Sequence, residues 1–238
     1  MKLDLLAIAA HSDDAELTCG GTLAKMARRG YRVGIMDLTG GEMGTRGSMK
    51  TRQREAKAAA RILGVAHREN LSLPDARLEL RMDYKLAVAR RIRVLRPDTV
   101  ILPYWEGRHP DHYTAAKIGY EGCFLAGLKR LDLEGEAFRP SKVLYATAYE
   151  LNVTPTFVVD ITGELTRRER AVLAYKSQFP KKVPRRGKVH IPLDGLLRLV
   201  NSSSRFFGEM AGVDYAEPFV VKEMMQVDDV VKLPIRRW

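Results

Sequence analysis

The sequence is poor in cysteine, in aromatic residues and in long apolar runs, and each shortage excludes something. Two cysteines in 238 residues, Cys19 and Cys123, are too few for a disulfide scaffold. Both sit in helix-like stretches among apolar or small neighbours and read as packed small hydrophobes in a reducing compartment. No run approaches the roughly 18 apolar residues that span a bilayer, so no membrane partner is expected. The opening Leu3–Ala10 is too short for a signal-peptide core and contains Asp4, which makes the cytoplasm the expected location. Aromatics are only 8% of the chain and are not interleaved with the basic clusters RRGYR, RRIRVLR, KKVPRRGK and RRW as a single-strand nucleic-acid platform requires. Zinc-finger and basic-zipper spacings are missing too. Acidic side chains are in deficit, 29 against 40 basic ones, for a net charge of +11. The expectation is a basic surface that steers a small anionic substrate, with no nucleic acid bound.

What is present is a globular composition, 45% hydrophobic and 29% charged, long enough to bury a sizeable core. Short apolar runs at Leu3–Ala9, Tyr31–Leu38, Thr99–Tyr104 and Lys142–Ala146, with a shorter one near Asn70–Leu73, predict strands. Between them Ala15–Arg29, Lys50–Leu63, Tyr84–Leu95 and Thr114–Lys129 carry the 3.6-residue apolar spacing of helices. Gly30 and Gly64 stand where helix C-terminal caps belong. Such alternation predicts an α/β fold: a Rossmann-like, doubly wound, mostly parallel sheet with a 3-2-1-4-5 core. The last third is less regular. TFVVDI reads as a strand, GELTRRERAVLAY as a helix, FPKKVPRRGK as an exposed loop, Asp194–Phe207 as a helix and Pro218–Val221 as a strand. Lacking repeats and linkers, the chain is expected to be a single domain over 1–238, with a core over 1–150 and a C-terminal α/β elaboration over 151–238.

Within this frame the first strand ends in HSDD, where Asp13 and Asp14 repel each other and neither is buried cheaply without a proton or a cation. About 100 residues later GRHPDH, Gly107–His112, follows the strand TVILPYW. Both clusters fall at carboxyl ends of strands that a 3-2-1-4-5 order makes neighbours, at the crevice where ligands bind. Two imidazoles and one carboxylate with an open position form the ligand set of a catalytic zinc. One aspartate would bind the cation and the other would act on water beside it, a combination suited to amide hydrolysis.

The stretches AHSDDAELTCGGTLA, DLTGGEMGTRGS, RENLSLPDARL and GRHPDHYTA, with AYKSQF and GVDYAEPF later, resemble the LmbE/PIG-L family of zinc-dependent N-acetylglucosaminyl deacetylases. The likeness runs along nearly the entire chain and is strongest to members acting on GlcNAc-malate in bacillithiol biosynthesis. It implies one Zn²⁺ per subunit, with Fe²⁺ an alternative, held by His11, Asp14 and His112. It implies Asp13 as general base, and His109 as the group that stabilises the oxyanion or protonates the leaving amine, its ring oriented by Asp111. The substrate would be an anionic N-acetyl sugar and the assembly a homo-oligomer, a trimer or hexamer. Arg52 and Arg108 are candidates for gripping substrate carboxylates, because guanidinium forks bind them bidentately. The plainer alternative is that both are surface arginines, and Arg108, beside the second motif, is the better candidate.

Two departures stand out. The family commonly has proline after the first histidine, where this chain has Ser12; a serine nucleophile is not supported, because no GxSxG elbow surrounds it. Some relatives carry an active-site tyrosine after a late glycine-containing loop, whereas Leu196 and Leu197 follow Gly195 here. His67 reads as a surface residue, and His190 lies in the charged loop. Asp37 ends the second strand, but without a glycine fingerprint a dinucleotide site is a weak rival. A non-haem iron oxygenase would use the same ligand types, commonly on an all-β barrel. A nucleic-acid-binding protein with a structural metal would want a fourth protein ligand, and neither cysteine is spaced to supply it.

Overall fold

The computed structural model describes residues 1–179, 193–233 and 235, the first two residues of the 193–233 segment by backbone alone. His190, the charged loop from Pro180 onward and the terminal RRW lie outside the described residues. Seven strands and six helices follow one another: β1 (Leu5–Ala9), α1 (Asp14–Arg28), β2 (Val33–Thr39), α2 (Met49–Leu63), β3 (His67–Leu73), α3 (Met82–Leu95), β4 (Thr99–Pro103), α4 (Pro110–Ala126), β5 (Lys142–Ala146), β6 (Phe157–Asp160), α5 (Leu165–Val172), α6 (Leu193–Ala211) and β7 (Ala216–Val220). The strands form one sheet in the order β3-β2-β1-β4-β5-β7-β6. The first five are parallel, in the 3-2-1-4-5 order that the alternation predicts.

β1 and β2 are buried along their whole length, as strands covered on both faces must be, and this is why they read as continuous apolar runs. One core lies against α1, α2, α5 and α6 and includes Ala7, Leu17, Cys19, Tyr175 and Phe219. The opposite core, against α3 and α4, includes Leu6, Ile8, Ile92, Ile118 and Cys123. Both cysteines are therefore buried and unpaired, one on each face. The C-terminal segment extends the same sheet: β7 runs antiparallel to β5, with Ala146 opposite Phe219, and β6 pairs antiparallel with β7. The predicted short strand at Asn70–Leu73 begins earlier, at His67, whose ring pairs with Glu69 at 3.2 Å.

The sequence TCGG has a structural reason. α1 breaks at Cys19 (φ −144°, ψ 16°), so the helix is two segments at an angle. The amides of Gly21 and Thr22, released by the break, donate to Glu217 Oε1 and Oε2 of β7 at 2.8 and 2.7 Å. Arg168 of α5, fully buried, balances that carboxylate and also bonds Ser204 and Asn201. At Gly21 a Cβ would sit 2.8 Å from the Ile161 side chain, so a larger residue would push the helix off this carboxylate. Glu217 thus acts as a cap inside the protein, replacing the helical acceptors that the kink removes. Glu217→Ala is expected to cost about 3–5 kcal/mol, because it leaves a buried guanidinium without its counter-charge and two amides unpaired. A urea or guanidinium melt measures it, and a loss under about 1 kcal/mol would contradict this account.

Candidate metal centre and active site

The site forms where the sheet order reverses. β1 pairs with β2 on one side and β4 on the other, so the turns leaving β1 and β4 stand side by side. From the first come His11, Asp13 and Asp14; from the second, His109, Asp111 and His112. Residues about a hundred positions apart thereby touch: the ring centroid of His11 lies 4.9 Å from that of His109 and 5.4 Å from that of His112.

Asp14 is the hub. Its Oδ2 accepts from the His11 amide at 2.9 Å and lies 3.2 Å from His11 Nδ1, while its Oδ1 lies 3.2 Å from His112 Nε2. Two imidazole nitrogens and a carboxylate oxygen converge, all within 4.8 Å of one another, and this His-His-Asp group can hold a metal ion. An overlapping set, His11, His109 and Asp111, also falls within that reach. The donor chemistry fits a divalent cation at either position.

The two adjacent aspartates are electrostatically different. Burial opposes the charge of Asp14, yet His112 and His11 outweigh it and hold its carboxyl well below the usual range. For Asp13, burial and then the charge of Asp14 push the carboxyl upward, against the pull of Arg52 and His11. Asp13 occupies the N-cap position of α1, but its side chain makes no capping bond. It lines the site cavity. That cavity holds about 750 Å³ and is also lined by Met43, Asp75, Arg108, Tyr149 and Leu196.

His109 is the N-cap of α4, and its Nδ1 accepts the amide of Asp111 at 3.2 Å. Nε2 is therefore the protonated nitrogen of the neutral ring. Burial, then the neighbouring His112 and His11, lower the pKa of His109, which favours that neutral form. Here the structure differs from the role expected of Asp111. Its amide meets the His109 ring, while its carboxylate lies 3.3 Å from His11 Nε2 and accepts the Ala76 amide at 2.8 Å. Arg108 is exposed and lines the cavity. Arg52 is not a surface residue. It is 7% exposed and its guanidinium donates to the Gly41 carbonyl (3.1 Å) and to Gln178 Oε1 (2.5 Å). A Cβ at Gly41, where φ is +67°, would overlap that guanidinium, which accounts for the glycine in the TGGEMG loop.

Four contributors were not singled out from sequence. Asp75, in the RENLSLPDARL stretch, places Oδ1 3.1 Å from His11 Nε2 and accepts the Met43 amide at 2.9 Å. Its hydrogen bond with His11 holds its pKa down at about 2. Tyr149 follows β5 at the same sheet edge and lies parallel to the His112 ring at 5.8 Å. Arg68 of β3 and Tyr175, after α5, both bond the carbonyl of Ser12, the residue before Asp13. Behind them Asp37 accepts from Arg68 at 2.9 and 3.0 Å, and Glu16 meets both Arg68 and Tyr175. Burial raises Glu16 to about 7, opposed by Arg68. The signal for these four is their position at or behind the carboxyl edge of the sheet, which becomes visible once the strand order is known.

Ser12 itself is 4% exposed and its hydroxyl has no partner among the described residues. Two changes at one peptide should therefore have opposite effects. Tyr175→Phe removes a donor from a buried carbonyl and is expected to destabilise by about 1–3 kcal/mol. Ser12→Ala removes an unsatisfied hydroxyl and is expected to be neutral or stabilising by up to about 1 kcal/mol. Paired denaturant melts decide both, and equal losses would contradict the clamp.

Residues 6–123 match the PIG-L family, described as GlcNAc-PI de-N-acetylase. Over 227 residues the chain is 31% identical to the diacetylchitobiose deacetylase of Thermococcus kodakarensis, covering 90% of this chain and 80% of that protein. Among solved structures it is similar to the conserved protein TT1542 from Thermus thermophilus, with 39% identity over 95% of this chain and 98% of that one, and a TM-score of 0.85. It is also similar to the N,N'-diacetylchitobiose deacetylase from Pyrococcus horikoshii, with 25% identity, 91% and 82% coverage and a TM-score of 0.80. With this agreement along the chain and a His-His-Asp group at the switch point, the protein belongs to the PIG-L/LmbE family of deacetylases.

Proposed function

We propose that this chain is a zinc-dependent hydrolase that removes the acetyl group from an N-acetylglucosamine derivative, GlcNAc-malate of bacillithiol biosynthesis being the specific substrate. The observation that carries the mechanism is geometric: Asp14 meets the imidazoles of His11 and His112, and Asp13 beside it lines the same cavity with no capping bond of its own. His11, Asp14 and His112 would hold the ion, with Fe²⁺ the alternative occupant. When bound there, a divalent cation supplies Lewis-acid polarisation of water and carbonyl.

The chain's own residues supply the rest. Asp13 takes a proton from the attacking water as its oxygen bonds to the amide carbon. The Nε2–H of His109 donates to the developing oxyanion. Collapse breaks the C–N bond, and the proton held by Asp13 passes to the departing nitrogen, giving the free amine and acetic acid, which loses its remaining proton to solvent as acetate. The carboxylate of Asp111 holds His11 and the loop at Ala76 in place.

Net charge and the exposed guanidinium of Arg108 support an anionic substrate. Arg52 would act on the charge of Asp13 and brace the TGGEMG loop, touching substrate with its cavity-facing side at most. The name of the Thermococcus relative favours a second reading, an N-acetylated chitobiose-type substrate. The two buried free cysteines suit the cytoplasm. Among the described residues no helix is long and apolar enough to cross a membrane. Phe206 and Met210 of α6, each more than half exposed, offer a face for a homo-oligomer, a trimer or hexamer.

Amine release from GlcNAc-malate, diacetylchitobiose and GlcNAc, with metal content quantified, tests the function. Preference for the malate conjugate is expected; preference for the disaccharide would replace the pathway and keep the chemistry. Asp13→Ala is expected to retain metal and lose about 10²–10⁴-fold in kcat. His112→Ala is expected to lose metal and activity together, and stoichiometric metal in that variant would remove it from the ligand set.

A further inference from the structure

A narrower space opens from the wall of the site cavity. The two share Asp14, Arg108, His109, His112, Tyr149 and Glu150, so the recess begins among the reacting groups. It runs inward on the α1 side of the sheet and ends against Ala7, Ala9, Ala15, Cys19, Ile101 and Ala146, all buried in one apolar core. Its volume is about 30 Å³. Alanines stand at four of those six positions, and α1 breaks at the fifth, Cys19.

The mouth of the recess is polar, with Asp14, Glu106, Arg108, His109, His112 and Glu150, while its inner end is apolar and poorly suited to water. A buried water needs about two to four polar partners. Here Thr18 Oγ1 already donates to the Asp14 carbonyl at 2.8 Å, and Cys19 Sγ to the Ala15 carbonyl at 3.4 Å. The β1–β4 ladder runs as far as Ala7 opposite Ile101, and the β4–β5 ladder continues to Pro103 opposite Ala146. An apolar inner end of this kind suits a small apolar group, and a volume of about 30 Å³ is roughly two to three times the 10–15 Å³ that holds one water.

An amide carbonyl carbon carries three substituents, and the site separates them chemically. The sugar nitrogen belongs with the wide polar cavity, and the oxygen with the Nε2–H of His109. The third substituent, the acyl chain, is left facing the apolar recess. We propose that this recess seats the acyl methyl group and is what restricts the enzyme to acetyl, Cys19 and Ala146 setting its depth. The inference rests on the deacetylase reading above and adds the acyl selectivity and the residues that impose it.

The test compares N-formyl, N-acetyl and N-propionyl forms of one amino sugar with the metal-loaded full-length protein. The wild type is expected to favour acetyl over propionyl by about 10–200-fold, the usual effect of one surplus methylene in a closed pocket. Ala146→Val, which fills the recess, should lower kcat/KM for acetyl at least about tenfold while leaving formyl, which has no methyl to seat, within about twofold. Cys19→Ala, which deepens it, should raise propionyl relative to acetyl and covers the case in which the valine variant does not fold. Acetyl and propionyl handled equally by the wild type, or formyl and acetyl lost in parallel in the filled variant, would overturn the assignment while the deacetylase reading stands. Hydrolysis of none of the three would overturn both.

Discussion

Two carboxylates in sequence at the end of a buried strand cannot share one environment, and the rest of the site follows from resolving their repulsion. Asp14 is given to two imidazoles and its charge is held in place. Asp13 bears the remaining cost, since burial and its neighbour's charge raise its affinity for a proton. One constraint thus yields both a candidate metal ligand and a candidate base next to it. A protein that equalised the two environments would have neither.

Holding that asymmetry requires a rigid peptide. The Ser12 carbonyl precedes Asp13 and receives Arg68 from β3 and Tyr175 from beyond α5. Asp37 and Glu16 compensate the guanidinium, so a buried charge network from four elements converges on a single backbone oxygen. Such networks contribute little net stability compared with apolar packing. Their value here is positional: they fix the peptide plane from which Asp13 projects. Asp75 and Asp111 play the corresponding part for His11, tying it to the loops after β2 and β3 through the amides of Met43 and Ala76.

The break in α1 connects stability with chemistry. Its second segment is anchored to Glu217 and Arg168, while its first turn carries Asp14 to the site. The kink at Cys19 borders the apolar recess behind Asp14, so the same local distortion that demands a buried carboxylate in β7 also lies at the inner wall of the cavity.

Much of this was legible without coordinates. Strand–helix alternation gave the parallel sheet and its order, and that order alone places HSDD beside GRHPDH, because neighbouring parallel strands end at one edge. The adjacency of Asp13 and Asp14 announced a cation or a raised pKa by charge repulsion. The antiparallel addition of β6 and β7 was not legible, since short strands of four or five residues do not reveal their partners. The sequence by itself determined which chemical groups reach the carboxyl edge, because strand periodicity and chain order are local properties. Only the tertiary structure decided that Arg52 is buried against Gly41 and Gln178, that the Asp111 carboxylate turns to His11, and that Asp75, Tyr149, Arg68 and Tyr175 complete the site. Burial and charge compensation depend on which distant segments cover a group, and local sequence carries no record of that.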